Sequence, residues 1–221
     1  MQNALTKKLM KYLRKRKKVG KLLRGSKVFH GVIYELFPKI KKTFDSMGVN
    51  YFLCFGTLLG AIREHDFIPH DEDLEIGVFG DEYSGIIEEK LLTIGFKRLL
   101  RYHVETENPF PHEGYMEKYS NGTIDIDLFV FSRTEEKYWC YTYLKDEWNS
   151  ILTLKLCWEN DGLEKIDFLG MNVPVPKYPE KHLAATYGET WNVPIVYWED
   201  TMHANIESKS KEIGRIEFVD S

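Results

Sequence analysis

Gly56-Thr57-Leu58-Leu59-Gly60-Ala61-Ile62-Arg63-Glu64-His65-Asp66-Phe67-Ile68-Pro69-His70-Asp71-Glu72-Asp73-Leu74-Glu75-Ile76-Gly77-Val78 is the stretch on which the fold turns. It begins with small residues behind an apolar run and ends in carboxylates at alternate positions, Asp71, Asp73 and Glu75. Alternation places the three acids on one side of an extended segment. Leu74, Ile76 and Val78 assign the other side to the core. A strand with one acidic face suits a cation or a polar substrate. The plainer account, a solvated loop acid, applies most to Asp71, which follows Pro69 closely.

Working outward, Tyr51 to Phe55 reads as a buried strand, Gly56-Thr57 opens a short helix through Arg63, and Leu74 to Phe79 forms the next strand. The N–H groups at that helix start offer a phosphate cradle. A second acidic alternation lies in Ile124-Asp125-Ile126-Asp127-Leu128-Phe129, with Asp125 and Asp127 on one face. It follows Asn121-Gly122, a strong hairpin signal between Tyr115–Tyr119 and Thr123–Phe131. Placed beside the Leu74 strand, these acids meet Asp73 and Glu75, and the cluster repels itself unless a divalent cation neutralises it. Oxygen-only ligands point to Mg²⁺ or Mn²⁺ rather than zinc. Such an ion polarises a phosphoryl group, and a spare carboxylate takes the proton of an attacking hydroxyl. The parts suit phosphoryl or nucleotidyl transfer.

Elsewhere, Val28, Val32, Leu36, Ile40 and Phe44 step by four as a helical core stripe, with Pro38 as a kink or restart and Gly48 as the stop. Asp81 reads as the N-cap of a helix ending at Gly95, with Ile86, Ile87, Leu91 and Ile94 inward. Strands are expected over Phe96–Glu105 and Trp139–Tyr143, while Trp148–Glu159 fits helix or strand. Leu163–Val175 reads as a hairpin turning at Gly170-Met171, and Tyr178-Pro179-Glu180 starts a helix that stops at Gly188. Beyond about Asp200 the polar tail suggests no regular structure.

The net charge of −4 conceals asymmetry. Residues 1–27 hold eleven Lys or Arg and no acid, leaving a strongly acidic remainder. Leu5, Leu9, Leu13, Val19, Leu22 and Leu23 recur at roughly helical spacing in this arm. A basic amphipathic helix of this kind suits an anionic membrane surface, where each nearby cation contributes about 1 kcal/mol; a solvated tail is the alternative. An acidic body argues against nucleic acid as partner. Cys54, Cys140 and Cys157 show no CxxC spacing and read as reduced buried thiols. No apolar run reaches the ~18 residues of a membrane span. Arg63 reads as a phosphate-steering residue or a surface ion-pair partner. His65, His70, His103 and His112 read first as structural or exposed, and Tyr187 and Trp191 as packing or stacking residues.

The motif Gly56-Thr57-Leu58-Leu59-Gly60-Ala61-Ile62-Arg63, followed by Phe67-Ile68-Pro69 and the acids, resembles the signature of the LicD family. That family includes bacterial phosphocholine transferases, fukutin and fukutin-related proteins. The resemblance continues in Ile126-Asp127-Leu128-Phe129, in Val175-Pro176 and in Tyr187-Gly188-Glu189-Thr190-Trp191, covering roughly residues 30–195. It implies a nucleotidyltransferase-like α/β (α+β) fold, a mixed sheet flanked by helices. It implies metal ligation by Asp73, Glu75 and Asp127, a further acidic position at Asp71, and phosphate contact at Gly56 and Thr57. His70 stands where tryptophan is common, Glu72 is an added acid, and Glu75 replaces an aspartate.

The expected arrangement is a basic arm (1–27), a catalytic domain (28–200) and a polar tail (201–221). The expected reaction is Mg²⁺- or Mn²⁺-dependent transfer of phosphocholine or a similar group from a CDP-linked donor to a hydroxyl of a cell-surface glycan or glycolipid. Asp71 or Asp125 is the candidate base, with Arg63, His70 and Trp191 as substrate-side candidates. The expected location is cytoplasmic, at the inner membrane face through the arm. The alternatives are a nucleotidyltransferase acting on a small molecule or protein, and a non-catalytic nucleotide- or glycan-binding member of the fold.

Overall fold

A computed structural model of the chain describes residues 2–104, 116–145, 151–195, 202–210 and 214–219. Expectations at His112, Tyr115 and Trp148 lie outside the described residues. The elements are α1 (Gln2–Asp45), β1 (Tyr51–Leu53), α2 (Phe55–Arg63), β2 (Asp73–Phe79), α3 (Ile86–Thr93), β3 (Lys97–Val104), β4 (Met116–Ser120) and β5 (Asp125–Arg133). They continue with β6 (Lys137–Lys145), β7 (Ile151–Glu159), β8 (Leu163–Phe168), β9 (Met171–Pro176), α4 (Pro179–Tyr187), β10 (Ile206–Ser210) and β11 (Gly214–Phe218).

Nine strands form one mixed sheet in the order β10-β7-β6-β5-β4-β3-β11, with β2 on β5 and β1 beyond it; β8 and β9 form a separate hairpin. The sheet, flanked by four helices among the described residues, gives the α+β fold that the family resemblance implies. Among the described residues only β2 and β5 pair in parallel, with Asp73 opposite Asp125 and Glu75 opposite Asp127. That register decides the site.

One sheet face carries Leu74, Ile76, Val78, Ile126, Leu128 and Val130, all but inaccessible to solvent, beneath α1, α3 and the β8–β9 hairpin. The other face is divided. Phe52, Phe79, Phe129 and Phe131 join Tyr138 and Trp158 in an aromatic layer toward the C-terminal ends of β2 and β5. Gly77 makes room for it, since a Cβ there would meet the Phe52 and Phe131 rings at 2.6 and 2.8 Å. Toward the strands' N-terminal ends the same face carries the acids.

Several expectations change. The α1 stripe is Phe29, Ile33, Phe37, Ile40 and Phe44, while Val28 is exposed and Val32 and Leu36 lie at its margin. Phe29 and Phe37 face inward because they pack edge-on against Phe67, and Phe37 also against Phe168. Pro38 lies inside one continuous helix. Asp81 caps nothing: α3 begins five residues later, after Gly85, and Asp81 accepts from Arg133 at 2.7 Å. Of the region that fits helix or strand, Ile151–Glu159 is strand β7. The β8–β9 turn falls on Leu169-Gly170, both at positive φ (54° and 75°), one residue before the expected place; glycine supplies the second of these at no steric cost. The polar tail is not structureless either, because β10 pairs with β7 and β11 with β3. Backbone ladders need no apolar side chains, so composition alone hid both strands. The three cysteines are free, and among the described residues no helix is long and apolar enough to cross a membrane.

Candidate active site

The site forms where α2 starts and β2 and β5 run in parallel. Phe55, the first α2 residue, sits in the left-handed region at φ 44°. It is held against Phe129 with ring centroids 4.6 Å apart. Non-glycine residues adopt this conformation at a cost, and such positions cluster at functional sites. The turn brings Gly56 and Thr57 over the end of β2. Thr57 N–H donates to Glu75 Oε2 at 3.0 Å, and Glu75 N–H donates to Thr57 Oγ1 at 2.9 Å. One amide expected to cradle phosphate therefore holds a carboxylate. A Cβ on Gly56 would meet Glu75 Oε2 at 2.8 Å and Asp71 Oδ1 at 3.5 Å, so glycine is what lets both acids close on the helix start.

The loop carrying Asp71 is braced by α1. Ser26 Oγ donates to Pro69 O at 2.7 Å, His30 Nε2 lies 3.0 Å from Ile68 O, and Tyr34 OH donates to Asp66. Phe67 packs edge-on against Phe29 and Phe37. Asp71 Oδ2 is buried with no hydrogen-bond partner among the described residues. Burial first, then the neighbouring Asp73 charge, push its carboxyl up to about 8.

Burial raises the carboxyls of Asp73, Glu75 and Asp127 as well. Asp125 adds to the effect on Asp73, and Asp73 adds to it on both Glu75 and Asp127. Lys118 on β4, directly across from Asp127, opposes this repulsion. Its Nζ lies 2.5 Å from Asp127 Oδ1, 3.6 Å from Asp125 Oδ2 and 3.8 Å from Asp73 Oδ2.

Asp71, Asp73, Glu75, Asp125 and Asp127 are thus gathered on one face by strand register and by α2. Among the described residues no three His, Cys, Asp or Glu side chains form a ready metal cage. The donor set is nevertheless all oxygen, and a buried carboxylate oxygen on Asp71 is unpartnered, so the residues fit a hard divalent cation in kind.

Arg63 is placed differently from a free phosphate-steering residue. Its Nε donates to Glu64 Oε1 at 2.7 Å and its Nη1 to the Trp191 carbonyl at 3.2 Å, tying α2 to the segment after α4. Trp191 packs against the main core cluster. His70 is partly buried, and burial with nearby Arg63 lowers its pKa. Sequence reasoning missed Lys118 and the α1 brace. Lys118 was legible in part: counting back through an Asn121-Gly122 turn puts it on the acid face opposite Asp125, whereas the observed turn falls on Gly122-Thr123 and sets it opposite Asp127.

The family model described as LicD/FKTN/FKRP, nucleotidyltransferase domain, matches residues 48–178, which hold every acid of this face. The chain is similar to ribitol-5-phosphate transferase FKTN of Homo sapiens, at 25% identity over 75% of this chain and 34% of the relative's length. The Mus musculus protein of the same name matches at 25% over 78% of this chain and 36% of its own length. An uncharacterized protein of Rickettsia typhi matches at 27% over 82% of this chain and 55% of its length. The chain thus spans between about a third and just over half of these relatives. With more than half of its length matched by the family model, the chain belongs to the LicD family.

Proposed function

We propose that the protein is a Mg²⁺- or Mn²⁺-dependent phosphotransferase that moves a phospho-substituent from a CDP-linked donor to a glycan hydroxyl. The observation that carries this reading is the parallel register setting Glu75 beside Asp127, with Thr57 at the adjoining helix start. Family membership and the name of the FKTN relatives, ribitol-5-phosphate transferase, support it and widen the transferred group from phosphocholine to polyol phosphates. Asp73, Glu75 and Asp127 would hold the metal. Bound there, it would neutralise donor phosphate charge and polarise phosphorus. Asp71, with its unpartnered Oδ2, is the favoured base over Asp125, which is drawn toward Lys118. The α2 start orients the site, and α1 fixes the loop that carries Asp71.

Incubation with labelled CDP-choline, CDP-polyols and NTPs in Mg²⁺ tests the reaction. Release of CMP is expected; pyrophosphate release from an NTP would instead indicate nucleotidyl transfer. Unchanged Mg²⁺ and nucleotide binding in Asp73→Ala would favour the non-catalytic reading.

The basic residues of 1–27 would hold the enzyme at an anionic, cytoplasmic membrane face, where lipid-linked glycans would meet it. Liposome co-sedimentation with and without residues 1–27 tests this. Equal pelleting of the two forms would dismiss the membrane role.

A further inference from the structure

Lys118 projects from the middle of β4 onto the acid face, between Met116 and Ser120, while the adjacent Glu117 and Tyr119 turn to the opposite side. Its ammonium lies within 4 Å of carboxylates from two further strands, Asp73 of β2 and Asp125 and Asp127 of β5. Other lysine ion pairs, such as Lys41–Asp45 and Lys181–Glu159, involve exposed carboxylates, whereas the Asp127 side chain is only 13% exposed. Glu75 is engaged elsewhere, by the Thr57 amide. Among the described residues, Lys118 is thus the cation within 4 Å of Asp73, Asp125 and Asp127.

We propose that Lys118 is a resident counter-ion that holds Asp127 and competes with a divalent cation for the same carboxylate oxygen. The inference rests on the metal reading above. An ammonium 2.5 Å from Asp127 Oδ1 occupies the approach that a Mg²⁺ ion needs at about 2.0–2.1 Å, so the two cations exclude each other at that oxygen. Lysine suits such an exchange, being a compact charge on a flexible four-carbon stem. Lys118 thereby acts as a positioning residue: it prevents the buried acids from repelling one another until a metal ion replaces it.

The test compares Mn²⁺ affinity and metal-free thermal stability in the full chain, Lys118→Met and Lys118→Arg. Lys118→Met is expected to melt lower without metal, to bind Mn²⁺ at least tenfold more tightly, and to show the larger Mn²⁺-induced rise in Tm. Lys118→Arg, which keeps the charge, is expected to stay near the wild type. Equal or weaker Mn²⁺ binding by Lys118→Met overturns the competition while leaving the metal reading intact. No saturable Mn²⁺ binding by any of the three proteins overturns both. A second measurement needs no variant: acetylation of wild-type lysines, read by mass spectrometry with and without Mg²⁺. Labelling of Lys118 is expected to rise severalfold with Mg²⁺ relative to the other lysines. Unchanged labelling at saturating Mg²⁺ overturns the proposal.

Discussion

Thr57 and Glu75, eighteen residues apart, exchange two hydrogen bonds: the Thr57 amide donates to the Glu75 carboxylate, and the Glu75 amide donates to the Thr57 hydroxyl. The Thr57 side chain is inaccessible to solvent. Thr57→Val keeps the shape and deletes the acceptor, leaving a buried N–H unpaired, which costs about 1–3 kcal/mol. Thr57→Ser keeps the hydroxyl and should lose less than Thr57→Val. Urea unfolding of both variants checks the order; a Val variant as stable as wild type would remove the hydroxyl from the account.

Gly60 lies on the inner side of α2, where a Cβ would meet Asp66 O at 2.6 Å and Ile68 N at 2.9 Å. Backbone cannot swing aside as a side chain can. Gly60→Ala should therefore destabilise by roughly 1–3 kcal/mol and displace the loop leading to Asp71. Gly31→Ala in α1 meets nothing within 4 Å and should stabilise by about 0.5–1 kcal/mol through helix propensity. Thermal melts of the pair should move in opposite directions.

Beneath the acid face lies a buried anion of another kind. Glu117 is inaccessible to solvent and accepts from Tyr83 OH at 2.7 Å, Tyr119 OH at 2.6 Å, Arg98 Nη1 at 3.1 Å and Arg101 Nε at 2.6 Å. Glu117→Ala withdraws the carboxylate from two guanidinium groups and should cost about 3–5 kcal/mol. Glu117→Gln keeps part of the hydrogen bonding and should cost less. Denaturant midpoints of the two variants test the ranking.

His182 is buried against Tyr138, with Nδ1 2.6 Å from the Tyr138 hydroxyl and its ring stacked on Trp158 at 5.0 Å. Burial depresses its pKa to about 3, while an unfolded histidine titrates near ~6.5. As pH falls the unfolded chain takes up the proton first. Stability is therefore fully present above about pH 6.5 and is lost as pH falls toward 3, at up to about 1.4 kcal/mol per pH unit. His203, lowered by burial to about 4, acts in the same direction. Urea unfolding from pH 7 to pH 4 should show this slope, and His182→Gln should flatten it. An equal slope in the variant would assign the acid sensitivity elsewhere.

Local patterns were legible where one physical cause governed them. The step of two in Asp73-Leu74-Glu75-Ile76 and in Asp125-Ile126-Asp127-Leu128 gave strands β2 and β5, with acids on one face and core on the other. Asn121-Gly122 gave the β4–β5 turn, with Asn121 Oδ1 accepting from the Thr123 and Ile124 amides. Where causes competed, reading failed. Asp81 has the residue type of an N-cap, but Arg133 of β5 claims its carboxylate. The α1 stripe moved because Val28-Val32-Leu36 and Phe29-Ile33-Phe37 both lead into Ile40 and Phe44 at helical spacing, and the packing of Phe67 and Phe168 against Phe37 settled which of them faces the core.

The sequence by itself determined that the chain carries two acid-faced strands, a glycine-led helix before the first of them, and the motifs of a LicD domain. Each of these is written within a few neighbouring residues. Tertiary structure alone decided that β2 and β5 run in parallel with Glu75 beside Asp127, that Lys118 lies opposite Asp127 rather than Asp125, and that the polar tail adds strands alongside β7 and β3. The physical reason is range: side-chain alternation follows from the local backbone, whereas strand register and buried charge pairing depend on which distant segments meet. Until they meet, five carboxylates are a pattern in the chain; packed together, they become one face whose mutual repulsion Lys118 opposes.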